Sequence, residues 1–184
     1  MTNKQEKSVA KIHKALESLL KEGNYESFSV SDIIARSGLS RSTFYAHFKS
    51  KDEVLESVCT HIFDHVFSRS LEKEEGHDFS KSGVFAYKEM IEHTFYHFQD
   101  DRDLIRPILQ SSASHAFLSL LRKEITPLIE ASLSNNLIRE KYVPPKIEVP
   151  ALVNALVSML TYYVGEKATE TPEEMTEYFF TLFA

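Results

Sequence analysis

Apolar positions recur at helical spacing along most of the chain. Over Lys4–Glu22, Val9, Ile12, Leu16, Leu19 and Leu20 fall three or four apart between Lys, Glu and Gln, which predicts an amphipathic helix with one inward stripe. Gly23-Asn24 closes it. Ser29 and Asp32 make a reciprocal capping signature for a short helix to Ser37, with Ile33 and Ile34 inward and Gly38 as the left-handed stop. Ser40 caps a second short helix, Arg41–Phe48, in which Phe44 and Phe48 share a side. Ser50-Lys51-Asp52-Glu53 then opens a long helix carrying Val54, Leu55, Val58, Ile62, Phe63 and Phe67.

Polar Glu72–Ser82 reads as a loop, and helical patterns resume over about Val84–Gln99, Asp103–Gln110 and Ser112–Asn135, where Pro107 and Pro127 predict kinks or restarts. Pro144-Pro145, within Lys141–Lys146, predicts a break. Val149–Glu166 is apolar nearly all round and must be covered on several sides. Thr171-Pro172-Glu173-Glu174 starts a last helix that ends in Tyr178, Phe179, Phe180, Leu182 and Phe183. The sum is an all-α fold of about nine helices without a strand. A three-helix helix-turn-helix domain is expected over residues 1–50, and a helical regulatory and dimerisation domain over 51–184.

Composition narrows the function. One cysteine, Cys59, excludes an internal disulfide framework and a Cys-based zinc site and suits a reducing compartment. The first residues lack the apolar core of a secretory signal, and no uninterrupted apolar run approaches ~20 residues, so a cytoplasmic protein that does not span a membrane is expected. The net charge of −6 is unevenly placed: residues 1–60 hold nine Lys/Arg and eight Asp/Glu, residues 61–184 twelve and nineteen. Only the first third suits a polyanion.

That third also holds the relevant chemistry. Ser42, Tyr45 and Ala46 lie on the face of the second short helix opposite Phe44 and Phe48, and Tyr45, His47 and Lys51 offer a phenol, an imidazole and an ammonium to phosphate. The run Phe28-Ser29-Val30-Ser31-Asp32-Ile33-Ile34, then Gly38-Leu39-Ser40-Arg41-Ser42-Thr43-Phe44-Tyr45-Ala46-His47-Phe48 with Lys51 and Leu55, resembles the DNA-binding domain of the TetR family of transcriptional regulators. The resemblance covers roughly residues 8–58. It implies a recognition helix with Arg41, Ser42 and Ala46 near base edges, Thr43, Tyr45, His47 and Lys51 on phosphates, and Val30 and Ser31 also facing DNA. Ile34 and Ser37 stand where the family usually has Ala, and Ser42 where it often has Gly.

By architecture the resemblance extends to the rest of the chain. It implies a homodimer joined through its last two helices, with Leu156 at the centre of the longer one, and a pseudo-palindromic double-stranded DNA operator. It also implies a small-molecule pocket. Aromatic residues crowd the middle helices, including Phe85, Tyr87, Tyr96 and Phe98. Phe63, Phe67, Phe95 and Phe117, with His93, Gln110, His115 and Tyr162 as polar groups, are candidates to line a site for an apolar or aromatic effector. His61 with His65, and His93 with His97, stand four apart but read as polar-face or hydrogen-bonded histidines; no metal or cofactor is expected. No phosphate loop, nucleophile elbow or carboxylate pair points to an enzyme. A ligand-released repressor is the leading expectation, and a DNA-binding dimer governed by a protein partner the alternative.

Overall fold

The computed structural model describes residues 3–67, 87–134, 143–165 and 168–183. Among these residues the chain forms nine α-helices, one 3-10 turn at Tyr25–Ser27, and no strand. The helices are α1 (Asn3–Glu22), α2 (Val30–Ser37), α3 (Arg41–Tyr45), α4 (Lys51–Val66), α5 (Tyr87–Asp100), α6 (Arg102–Leu109), α7 (Ser114–Ser134), α8 (Pro145–Val164) and α9 (Pro172–Phe183). The stretch Glu72–Ser82 and Phe85 lie outside the described residues.

Two compact units result. The first takes residues 1–62 together with 103–117, and the second residues 63–102 and 118–184, so α4 contributes to both.

In the first unit α1 packs on α2 and α3. The predicted stripe is the buried one: Ile12, Leu16 and Leu20 are closed to solvent, as are Ile33 of α2 and Phe44 of α3. Val54, Val58 and Cys59 bury the facing side of α4.

In the second unit α5 packs on α8 and α9. Phe95 meets Tyr163 edge to face with centroids 5.5 Å apart, and Lys88 pairs with Glu177. Arg102 caps the carbonyl end of α8, donating Nε–H to Val164 O at 3.0 Å and Nη2–H to Gly165 O. The buried hydroxyls of Thr94 and Ser132 donate to carbonyls one turn back, at 2.7 and 2.8 Å, so neither leaves an unsatisfied group.

The prolines fall both inside and at the ends of helices. Pro107 and Pro127 lie inside α6 and α7. The break expected over Lys141–Lys146 is kept at Val143 and Pro144 but ends sooner: α8 begins at Pro145 rather than Val149, because the first helical position needs no N–H, and it carries Pro150 within. Length and composition alone would let α8 cross a membrane, with mean hydropathy 1.4 over its most apolar window. Instead it buries Leu152, Val153, Leu156, Val157, Leu160, Tyr163 and Val164 within the protomer. Leu156 is 0% exposed, so it is a core residue of the protomer and not the centre of a subunit interface.

Candidate nucleic-acid interface

Local capping shapes the hairpin of α2 and α3. The Asp32 carboxylate accepts from both the backbone N–H and the hydroxyl of Ser29, each at 2.7 Å, which fixes the start of α2. Gly38 ends it at φ 67°, and the space around its missing Cβ is open, so backbone conformation alone selects glycine there. Ser40 Oγ accepts Thr43 N–H at 3.1 Å and caps α3.

Helix α3 is regular only from Arg41 to Tyr45, shorter than the expected Arg41–Phe48. The chain keeps a helical bond at Phe48 N–H to Phe44 O, 2.9 Å, so both rings still point inward, 0% and 7% exposed with centroids 6.2 Å apart. The opposite side is open. Tyr45 is 52% exposed, and Ser31, Arg41, Ser42 and Ala46 are exposed, while Val30, Thr43 and His47 are half-buried.

Several of these groups are already oriented. Arg41 Nη2 donates to Ser31 Oγ at 3.3 Å, linking the starts of α3 and α2. The Ser42 and Thr43 hydroxyls lie 2.9 and 2.8 Å from Ser40 Oγ. Lys51 turns its ammonium back into the unit: Nζ donates to Tyr25 O at 2.6 Å and Phe28 O at 2.8 Å, and sits 4.0 Å from the centre of the Tyr25 ring. Partial burial pulls its pKa below the ordinary lysine value. Tyr25 in turn donates its hydroxyl to Asp52 Oδ1 at 2.5 Å, and burial pushes the phenol pKa up. The 3-10 turn that carries Tyr25 thus holds the start of α4.

One further contact joins this unit's distant segments. Glu26 Oε1 accepts the Ser112 N–H at 2.7 Å, tying the 3-10 turn to the link between α6 and α7.

The expected effector residues differ in exposure. Phe63, His93, Phe95 and Phe117 are buried and Phe67 is half-buried, whereas Gln110, His115 and Tyr162 are exposed, Tyr162 donating to Glu170 Oε1 at 3.3 Å. A cleft of 580 Å³ lies between α1 and α2, lined by Leu19, Phe28, Ala35, Glu22 and Arg36 among others. The histidines also regroup. His61 lies beside His13, centroids 6.0 Å apart, and His65 joins His93 and His97.

The pattern described as "Bacterial regulatory proteins, tetR family" matches residues 12–58, and that described as "Transcriptional regulator C-terminal region" matches residues 86–184. The chain is similar to a TetR transcriptional regulator from Streptococcus agalactiae 2603V, at 25% identity and TM-score 0.77 over 97% of this chain and 94% of that one. The fold is shared with the dihydroxyacetone kinase operon activator DhaS, at 15% identity and TM-score 0.66 over 95% and 93%. It is shared also with AibR in complex with isovaleryl coenzyme A and operator DNA, at 15% and 0.56 over 96% and 97%. No curated protein matches the chain.

Proposed function

The chain belongs to the TetR family of DNA-binding transcriptional regulators, and from that premise we propose that it is a cytoplasmic, homodimeric repressor released from a pseudo-palindromic operator by a small apolar or aromatic effector. The observation that carries the DNA reading is the face opposite Phe44 and Phe48. Arg41, Ser42, Tyr45 and Ala46 stand exposed there on a helix whose other side is anchored in the core. Arg41, Ser42 and Ala46 meet base edges; Thr43, Tyr45 and His47 meet phosphate, as does Lys51 through the third N–H of an ammonium that gives two to Tyr25 O and Phe28 O; Val30 and Ser31 flank them.

A two-fold dimer places two such helices on successive major grooves. The surface for pairing is the side of α8 and α9 left uncovered in one protomer: Ile147, Tyr162, Tyr178 and Leu182 are between 49% and 64% exposed, with Ala151 and Ser158 between the first two. Effector binding to the second unit shifts the population toward conformers whose recognition helices no longer match groove spacing. Within the first unit, the Glu26–Ser112 bond ties the hairpin's own support to the link that precedes α7. AibR, captured with both a coenzyme A ester and operator DNA, supports a two-ligand protein of this fold.

The test is a footprint on the DNA upstream of the protein's own coding region, repeated with apolar aromatic compounds that raise its melting temperature. Protection that such compounds relieve supports the proposal. Protection relieved by no small molecule moves control to a protein partner, and no protected site removes the repressor reading.

A further inference from the structure

Sequence spacing pairs His61 with His65 and His93 with His97, but the fold takes His65 from α4 and sets it against both histidines of α5. One ring nitrogen from each of the three lies within 4.8 Å of the others, the only such convergence of three His, Cys, Asp or Glu side chains among the described residues. We propose that His65, His93 and His97 form a binding site for one divalent transition-metal ion of the zinc class.

The orientation of His93 supports this. Its Nδ1 lies 3.1 Å from the Val66 carbonyl oxygen, which can only accept, so Nδ1 carries the proton and Nε2 the lone pair. A backbone carbonyl behind a metal-bound imidazole is the usual support that fixes ring and tautomer. His93 Nε2 and His97 Nε2 are 2.9 Å apart. Two nitrogens on a tetrahedral ion, at metal distances of about 2.05 Å, stand about 3.3 Å apart, so a small opening of this pair admits the ion. Without metal, His97 donates Nε2–H to His93; with metal, that proton moves to Nδ1 of His97 and both Nε2 lone pairs turn to the cation.

His93 and His97 are 1% and 7% exposed and one helical turn apart, which holds two ligands rigidly, while exposed His65 supplies the third ligand and the way in. Three imidazoles without thiolate select zinc, cobalt, nickel or copper over magnesium and calcium. One position of a tetrahedral ion stays for water or a dissolved ligand.

Titration of the metal-stripped, full-length, untagged protein with Co²⁺ tests the site. The expected result is the strong visible absorption of tetrahedral cobalt, saturating at one ion per chain, abolished by Zn²⁺ and unaffected by excess Mg²⁺. His65→Gln changes an exposed residue, and its circular dichroism melt checks folding. It should lower Co²⁺ and Zn²⁺ affinity by more than the roughly 10–100-fold that loss of a supporting partner costs. His61→Gln should leave both unchanged. Weak octahedral bands only, saturation at another stoichiometry, or full affinity in His65→Gln would overturn the proposal. The readout involves no DNA, so it fails independently of the operator reading.

Discussion

Arg36 and Glu22 meet fork to fork across α1 and α2: Nη1 reaches Oε1 at 2.6 Å and Nη2 reaches Oε2 at 2.7 Å, with Ser18 Oγ accepting from Nη1 at 2.5 Å. Paired planar groups carry direction as well as attraction, so this contact sets the angle of α2 on α1. Both partners are solvent-exposed, which limits its energetic worth.

Acid should loosen the recognition unit. Hydrogen bonds from Arg36 hold the Glu22 carboxyl below its ordinary 4.5, the Ser112 N–H does the same for Glu26, and Ser29 holds Asp32 below 3.8. Depressed carboxyls stabilise the fold fully above their unfolded pKa values and lose that contribution as pH falls through the lower folded ones. The melting temperature of the wild type should therefore decline between about pH 5 and pH 3, and less so in Glu22→Gln. A flat profile over that window would show that these contacts do not contribute.

Arg41→Ala should cost roughly 1–3 kcal/mol on the operator and little on unrelated DNA, because a guanidinium reads guanine in the major groove. Gel-shift titrations on both DNAs measure it. Equal losses on the two would reassign Arg41 to phosphate.

Lys51→Met keeps the apolar stem and removes an ammonium that already donates to two carbonyls. It should weaken binding to all sequences alike and lower the slope of log affinity against log salt by about one. A lower melting temperature with an unchanged slope would make Lys51 purely a support for α4.

Ser158→Glu sets a charge in the exposed side of α8, in place of buried Leu156, where a charge would unfold the protomer before it tested pairing. A helical interface of roughly 2,000 Å² or more should then yield monomers with weakened operator binding. Sedimentation of an intact dimer would move the interface off α8.

Gly38→Ala should destabilise by about 1–2 kcal/mol and Gly38→Asn by less, since only the left-handed backbone, and no neighbouring atom, opposes a side chain. Equal melting temperatures for Ala, Asn and wild type would contradict that account.

What sequence makes legible here is local. The caps at Ser29 and Ser40, the stop at Gly38 and the stripe of α1 follow from spacings of two to four residues, and the structure keeps them. Departures arise where a distant segment decides. The break at Pro144 is legible, but α8 starts at Pro145, four residues before the apolar run from Val149 announces it. An apolar helix such as α8 does not announce which side its own protomer covers, so Leu156 was indistinguishable from an interface residue. The Lys51 contacts depend on carbonyls exposed by the 3-10 turn, and the third histidine of the α5 pair comes from another helix. Four-residue histidine spacing is the available signal, and it sets His65 with His61 instead of with His93 and His97.

Cys59 sits on the buried side of α4, 1% exposed, and burial pushes its thiol pKa up to about 12. Near neutral pH the thiol stays protonated, and burial keeps it from exchange with a disulfide. Since the chain's single sulfhydryl is buried, two copies present no exposed thiol through which a disulfide could join them. Oxidants and reductants should leave both assembly and operator affinity unchanged, and a protein handled for days in air should need no added thiol.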